Sequence, residues 1–221
     1  MDYVQTAMGG GVASPASSNA FTSSSGHTVV MTFSHDLDPS TVVSVTDSYG
    51  NAYYRLLAAT SGGPWPTTLN VFYATNIAGG DGHTITATFS PTRPYGQDHC
   101  RFIAQEFTGT GVPGRISSRV GNTVAVSSGA TASTNQRGEL VVASVAVDSE
   151  ASTVLTEGSG WGDRLIGSGR FAMLGQASRT AEEPGPQEAT WTLNEPRDWA
   201  AGVVTFAAPL AMRPGAFFEF L

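Results

Sequence analysis

The sequence predicts an all-β fold, an antiparallel β-sandwich of jelly-roll type built from two weakly repeated halves, and three observations carry that prediction. Short runs rich in Val, Ile, Thr, Tyr and Phe recur along the chain, each bounded by Gly, Pro, Asp or Asn. No window of helical length places apolar residues at i, i+3 and i+4. Gly 26 and Pro 12 in 221 residues, with abundant Ser and Thr, supply the turns that many short strands require.

Residues 1–27 are small and polar, with glycines at 9–11 and serines at 23–25, and read as an N-terminal arm. The arm is expected to contribute edge strands near residues 3–7 and 20–22. The sandwich is expected over 28–209, with strands at 27–34 (HTVVMTFS), 42–46, 52–60, 68–76 (TLNVFYATN), 83–90 (HTITATFS) and 100–108 (CRFIAQEFT). Residues 42–56, VVSVTDSYGNAYYRL, predict a hairpin: Gly50 and Asn51 tolerate positive φ, and Asp47 can bond the backbone two residues on. In 83–90, Ile85, Ala87 and Phe89 alternate with Thr and Ser, the mark of a strand with one packed face. In 100–107, Cys100, Phe102 and Ala104 fall on one face and Ile103 and Phe107 on the other, so both faces are expected to be buried.

The second half answers the first. Residues 140–147 (LVVASVAV) match 28–34, 154–165 (VLTEGSGWGDRL) match 45–56, 171–179 match 71–76, 188–194 (EATWTLN) match 83–90, and 199–207 (WAAGVVTFA) match 100–108. Pseudo-repeats at about 28–109 and 122–208 that bury each other's apolar faces make one domain. The alternative is two tandem domains joined by 109–122 (GTGVPGRISSRVGN), which has linker composition. At 210–221, Pro214-Gly215 turns the chain away from the last strand, and Phe217, Phe218, Phe220 and Leu221 crowd together. That apolar tail predicts either a plug for its own sandwich or an assembly interface inserted into a neighbour.

Composition excludes several functions. All 11 basic residues are Arg, so no lysine can form a Schiff base or serve a P-loop. A net charge of −7 without a basic stripe argues against nucleic acid as a partner. The first residues, MDYVQTAMGGG, lack the basic and apolar regions of a signal peptide, and the longest apolar run, 199–212, is broken by Gly202, Thr205 and Pro209, so no membrane span is expected. A single cysteine, Cys100, allows no internal disulfide and is compatible with synthesis in a reducing cytoplasm.

No catalytic constellation emerges. Asp98, His99 and Cys100 are adjacent, and on a strand neighbouring side chains face opposite ways, so His99 cannot activate Cys100. His27, His35, His83 and His99 lack metal-ligand spacing, and His27 and His83 read as residues that open strands. Glu106, an acid within a strand, has no evident partner for the paired-carboxylate chemistry of glycosidases. Asp36, Asp38, Asp47 and Asn51 could gather around calcium, or simply form turns. No cofactor or metal is expected. Tyr49, Tyr53, Tyr54, Trp65 and Trp161 lie in or beside turns; Tyr49, Trp65 and Trp161 are the residues that could stack on a sugar, the alternative being that they pin loops.

The segments TDSYGNAYYRL, VFYATNIAGGDGHTITATFS and FIAQEFTG resemble a β-sandwich module of bacteriophage structural proteins and bacterial surface proteins. The resemblance covers about residues 28–109. It implies a non-enzymatic virion component, a head-decoration or minor tail protein, with other virion proteins and copies of itself as partners and a virion location after synthesis in the host cytoplasm. A carbohydrate-binding or adhesion module using the turn aromatics and a cell-surface glycan is the second expectation.

Overall fold

The computed structural model describes residues 1–11, 15–35, 43–63, 66–89, 100–168 and 172–207. These residues form strands without any helix: β1 (Tyr3–Gly11), β2 (Ala16–Ser17), β3 (Thr28–His35), β4 (Val43–Asp47), β5 (Tyr54–Thr60), β6 (Thr68–Thr75), β7 (Ile85–Phe89), β8 (Cys100–Phe107), β9 (Val112–Ser127), β10 (Glu139–Asp148), β11 (Leu155–Glu157), β12 (Gly162–Ser168), β13 (Ala172–Ala181) and β14 (Thr190–Ala207). The pairings are antiparallel, and the all-β sandwich is the fold the sequence predicts.

In the first half, β3 lies between β8 and β6 in a five-stranded sheet of order β1-β8-β3-β6-β5, while β2-β7-β4 forms a three-stranded sheet. A central strand has neighbours above and below, which explains why all eight residues of β3 are buried. Its odd positions, Val29, Met31 and Phe33, pack with Phe72, Phe102 and Ala104 against Val45, Ile85, Ala87 and Phe89 of the small sheet. Its even position Val30 turns the other way, with Leu69, Val71, Ile103 and Phe107, onto Leu140, Val142, Ala146, Leu174, Ala200, Val204 and Phe206 of the second half. This second cluster welds the two halves together.

The second half pairs in the same order. Strand β10 takes the place of β3 between β13 and β14, β12 flanks β13, and β9 flanks β14. Where the first half uses β7 and β8, the second uses the single strand β14, whose start pairs with β11 and whose end pairs with β10, with a register shift between Thr192 and Arg197. A third cluster, with Val141, Val145, Trp161, Trp191, Leu193 and Trp199, fills this half's own interior.

Three expectations are corrected. Strands β4 and β5 do not form a hairpin: β4 pairs with β7 and β5 with β6, so the turn at 47–51 is a corner that carries the chain from one sheet to the other. The stretch with linker composition is most of β9, held by its ladder to β14. The edge strand expected near 3–7 is β1, which completes the five-stranded sheet, but the second, expected near 20–22, sits at Ala16–Ser17 instead, and Phe21 makes only an isolated bridge to His83.

Candidate functional site

The chemistry-bearing side chains of the first half converge at the corner after β4. There Tyr49 N and Asn51 N donate to Asp47 Oδ1 at 3.0 and 2.9 Å, while Gly50 adopts φ +75°. This is the local bonding that Asp at a turn offers its own backbone. The second oxygen, Oδ2, accepts from Asn51 Nδ2 at 2.7 Å, Tyr53 Oη at 3.1 Å and His83 Nε2 at 2.9 Å. Burial alone would raise the Asp47 carboxyl, but the bonds from Asn51 and then the hydrogen bond and electrostatic attraction of His83 outweigh it and hold it below the ordinary range. Tyr53 moves the opposite way: burial first, then the Asp47 charge and hydrogen bond, push its phenol far above the usual value.

Because Asp47 only accepts, His83 carries its proton on Nε2, and Nδ1 is left to accept from Ser23 Oγ at 2.6 Å. Phe21 stacks on the imidazole at 4.7 Å and Tyr49 meets it edge-on at 5.2 Å. Ser23, His83 and Asp47 thus have the connectivity that activates a serine nucleophile, through the opposite ring nitrogen. The surroundings bury it. Ser23 is 4% exposed and His83 fully buried. Ser23 N is spent on Gly80 O, Gly80 N on Ser23 Oγ, and Ser24 N on Glu106, so these donors are not free to receive an oxyanion.

Glu106 is likewise bonded, though to no second carboxylate among these partners. It is buried on β8 and accepts from His27 Nδ1 at 2.7 Å, Ser24 N at 2.8 Å and Gln5 Nε2 at 2.5 Å. His27 and His83 therefore do more than open strands: each ties the segment at 21–27 to a carboxylate. Among the described residues no group of three or more His, Cys, Asp or Glu could hold a metal ion. Asp47 and Asn51 bond each other, and Asp36, Asp38, Asp98 and His99 lie outside the described residues.

Of the expected sugar-stacking aromatics, Tyr49 is 38% exposed, with its hydroxyl donated to Asp81 O at 2.8 Å. Trp161 is a correction: it is buried in the second half's interior, with the Arg179 guanidinium 4.4 Å over its ring, so no face is open for stacking. Tyr49 and Trp161 belong to different halves and form no common shelf. Trp65 and the tail residues Phe217, Phe218, Phe220 and Leu221 lie outside the described residues.

A second feature was hidden by composition. Strands β5 and β9 are the edges of the two large sheets, and each pairs with one neighbour among the described residues. They lie on the same side of the stack, where Leu57 of β5 approaches Gly202 so closely that a Cβ there would collide with it. Ile116 pairs with Val204 and Val120 with Ala200, and cross-strand partners share a face, so both point to the side of the inter-half core. They are 41% and 47% exposed, and Tyr54 on β5, opposite Tyr73, is 59% exposed. The seam between the halves therefore opens as an apolar strip flanked by two free strand edges. Comparison with family models, with curated proteins and with solved structures finds no match to this chain.

Proposed function

We propose that this chain is a non-enzymatic structural component of a phage virion, a capsid-decoration or minor tail protein, that works by protein–protein assembly. The observation that carries the assembly reading is β9: 16 residues of edge strand with Ile116 and Val120 exposed. An edge of that length with apolar side chains offers both a backbone ladder and a surface to cover, the two elements of strand addition. The resemblance of residues 28–109 to virion sandwich modules supplies the setting. Supporting it, the Ser23–His83–Asp47 and His27–Glu106 groups are spent on internal bonds.

Negative-stain imaging and sedimentation of the purified protein, alone and mixed with its parent particle, test the reading. Discrete oligomers or regular decoration of the particle are expected. A protein that stays monomeric and does not sediment with the particle would refute it.

A further inference from the structure

We propose that the free edge of β9 receives residues 216–221 of a second copy of this chain as an added strand; this rests on the assembly reading above. The edge is chemically two-sided. Ile116 and Val120 face the seam, while Arg119, opposite Ala201, faces the other way, and Arg115 is anchored on that side by Nε to Ser133 O at 3.1 Å and Nη2 to Asn135 Oδ1 at 3.3 Å. The strand carries no acid.

The sequence at 216–221, AFFEFL, has the matching pattern. Extended, it puts Phe218 and Phe220 on one face and Phe217, Glu219 and Leu221 on the other. With the two phenylalanines laid over Ile116 and Val120, Glu219 falls on the side of Arg119, so an acid meets the arginine while apolar rings meet the apolar side. One antiparallel register sets Glu219 opposite Ser117 with Phe218 and Phe220 opposite Ser118 and Ile116.

Reach selects the second copy over the chain's own tail. Ala207, the end of β14, pairs with Val112, the first residue of β9. To pair antiparallel with its own β9 it would first have to run from Val112 past Val120 and then reverse. Residues 208–216 span about 30 Å when fully extended, which that path uses up before any turn is made. A tail arriving from a neighbour has no such limit, and antiparallel pairing is the more stable ladder.

The test uses the full chain, a deletion of residues 215–221, and Val120→Glu, which puts a charge on an exposed edge position. Sedimentation velocity gives association, and amide hydrogen exchange reads β9. The full chain is expected to self-associate with concentration and to protect β9 amides as it does so. The deletion should keep its circular dichroism and melting temperature while associating at least about a hundredfold more weakly, the loss of two buried aromatic rings. Arg119→Glu should weaken association several-fold and adding Glu219→Arg should restore it. Association undiminished in both the deletion and Val120→Glu would overturn the proposal while leaving assembly through another surface intact. Protection of β9 lost on deletion at every concentration, in a chain that is monomeric throughout, would overturn it in favour of the chain's own tail.

Discussion

His35 should make the fold acid-sensitive as pH falls from about 6.5 to about 4. It ends β3, is 1% exposed, and its ring completes a triangle with Phe33 at 5.5 Å and Phe89 at 6.1 Å, nearly parallel to the latter. Asn70 Nδ2 donates to its Nε2 at 3.2 Å, a bond that needs the neutral ring. Burial lowers its pKa from 6.5 to about 4. The unfolded chain therefore takes up a proton below about pH 6.5 that the folded chain refuses until about pH 4. Stability from this group is complete above the window and is lost as pH falls through it, by about 3 kcal/mol in all. His35→Gln keeps a group able to bond Asn70 and cannot titrate. Urea unfolding of both proteins across the window should show the native chain losing about 1.4 kcal/mol more per pH unit than the variant, one proton's worth. Equal losses would refute the reasoning, since they would mean that His35 protonates in place without opening the fold.

Asp47→Ala strands the buried Nε2–H of His83 and the Tyr53 hydroxyl, and should cost about 3 kcal/mol in denaturant unfolding at neutral pH. Since the folded Asp47 carboxyl lies below its unfolded value, its stabilisation is complete above about pH 4 and is lost as pH falls further, so the gap between variant and native chain should close there. Gly9→Ala would bring a Cβ to 2.6 Å from Ser17 O and closer still to the buried Phe102 ring, and thermal melts should show a loss of about 1–3 kcal/mol. On a glycan array, any sugar bound should be weakened about fivefold by Tyr49→Ala, whereas Trp161→Ala should act on stability, by about 3–5 kcal/mol.

The strands were legible because burial imposes a period of two: Ile85, Ala87 and Phe89 are all in the first core cluster, as their alternation with threonines implies. The corner was not. A hairpin and an inter-sheet corner use the same turn residues, and what separates them here is the partner of Asp47, His83, which lies 36 residues away. Glu106 offered a usable signal that composition obscured. An acid within FIAQEF is buried when the strand is buried, and a buried carboxylate must be bonded, so a partner such as His27 was required even though spacing could not name it. Strand β9 was misread because Gly, Ser and Pro lower strand propensity; an edge strand laddered to β14 tolerates them, since only one of its sides must pair.

The two corners, though equivalent in position, are held by different chemistry. Ser48 N donates to Thr84 O at 3.0 Å in the first and Gly158 N to Thr190 O at 2.8 Å in the second, so the backbone geometry is shared. In the second half, β14 pairs with β11 at its start and with β10 at its end within one sheet, and the corner is packed by Leu155, Trp161, Trp191 and Leu193 beside the bonds of Asn194 to Val154 N and Ser152 O. In the first half, among the described residues, β2, β7 and β4 form a sheet of their own, which is attached through its apolar face and through side-chain bonds. These bonds run from Asp47 to His83 to Ser23, and from Asn51 to Ala78 at 2.8 and 2.9 Å. The attachment of the three-stranded sheet therefore rests in part on polar side chains. Its loosening in Asp47→Ala should precede global unfolding, with β4 and β7 amides exchanging before those of β3.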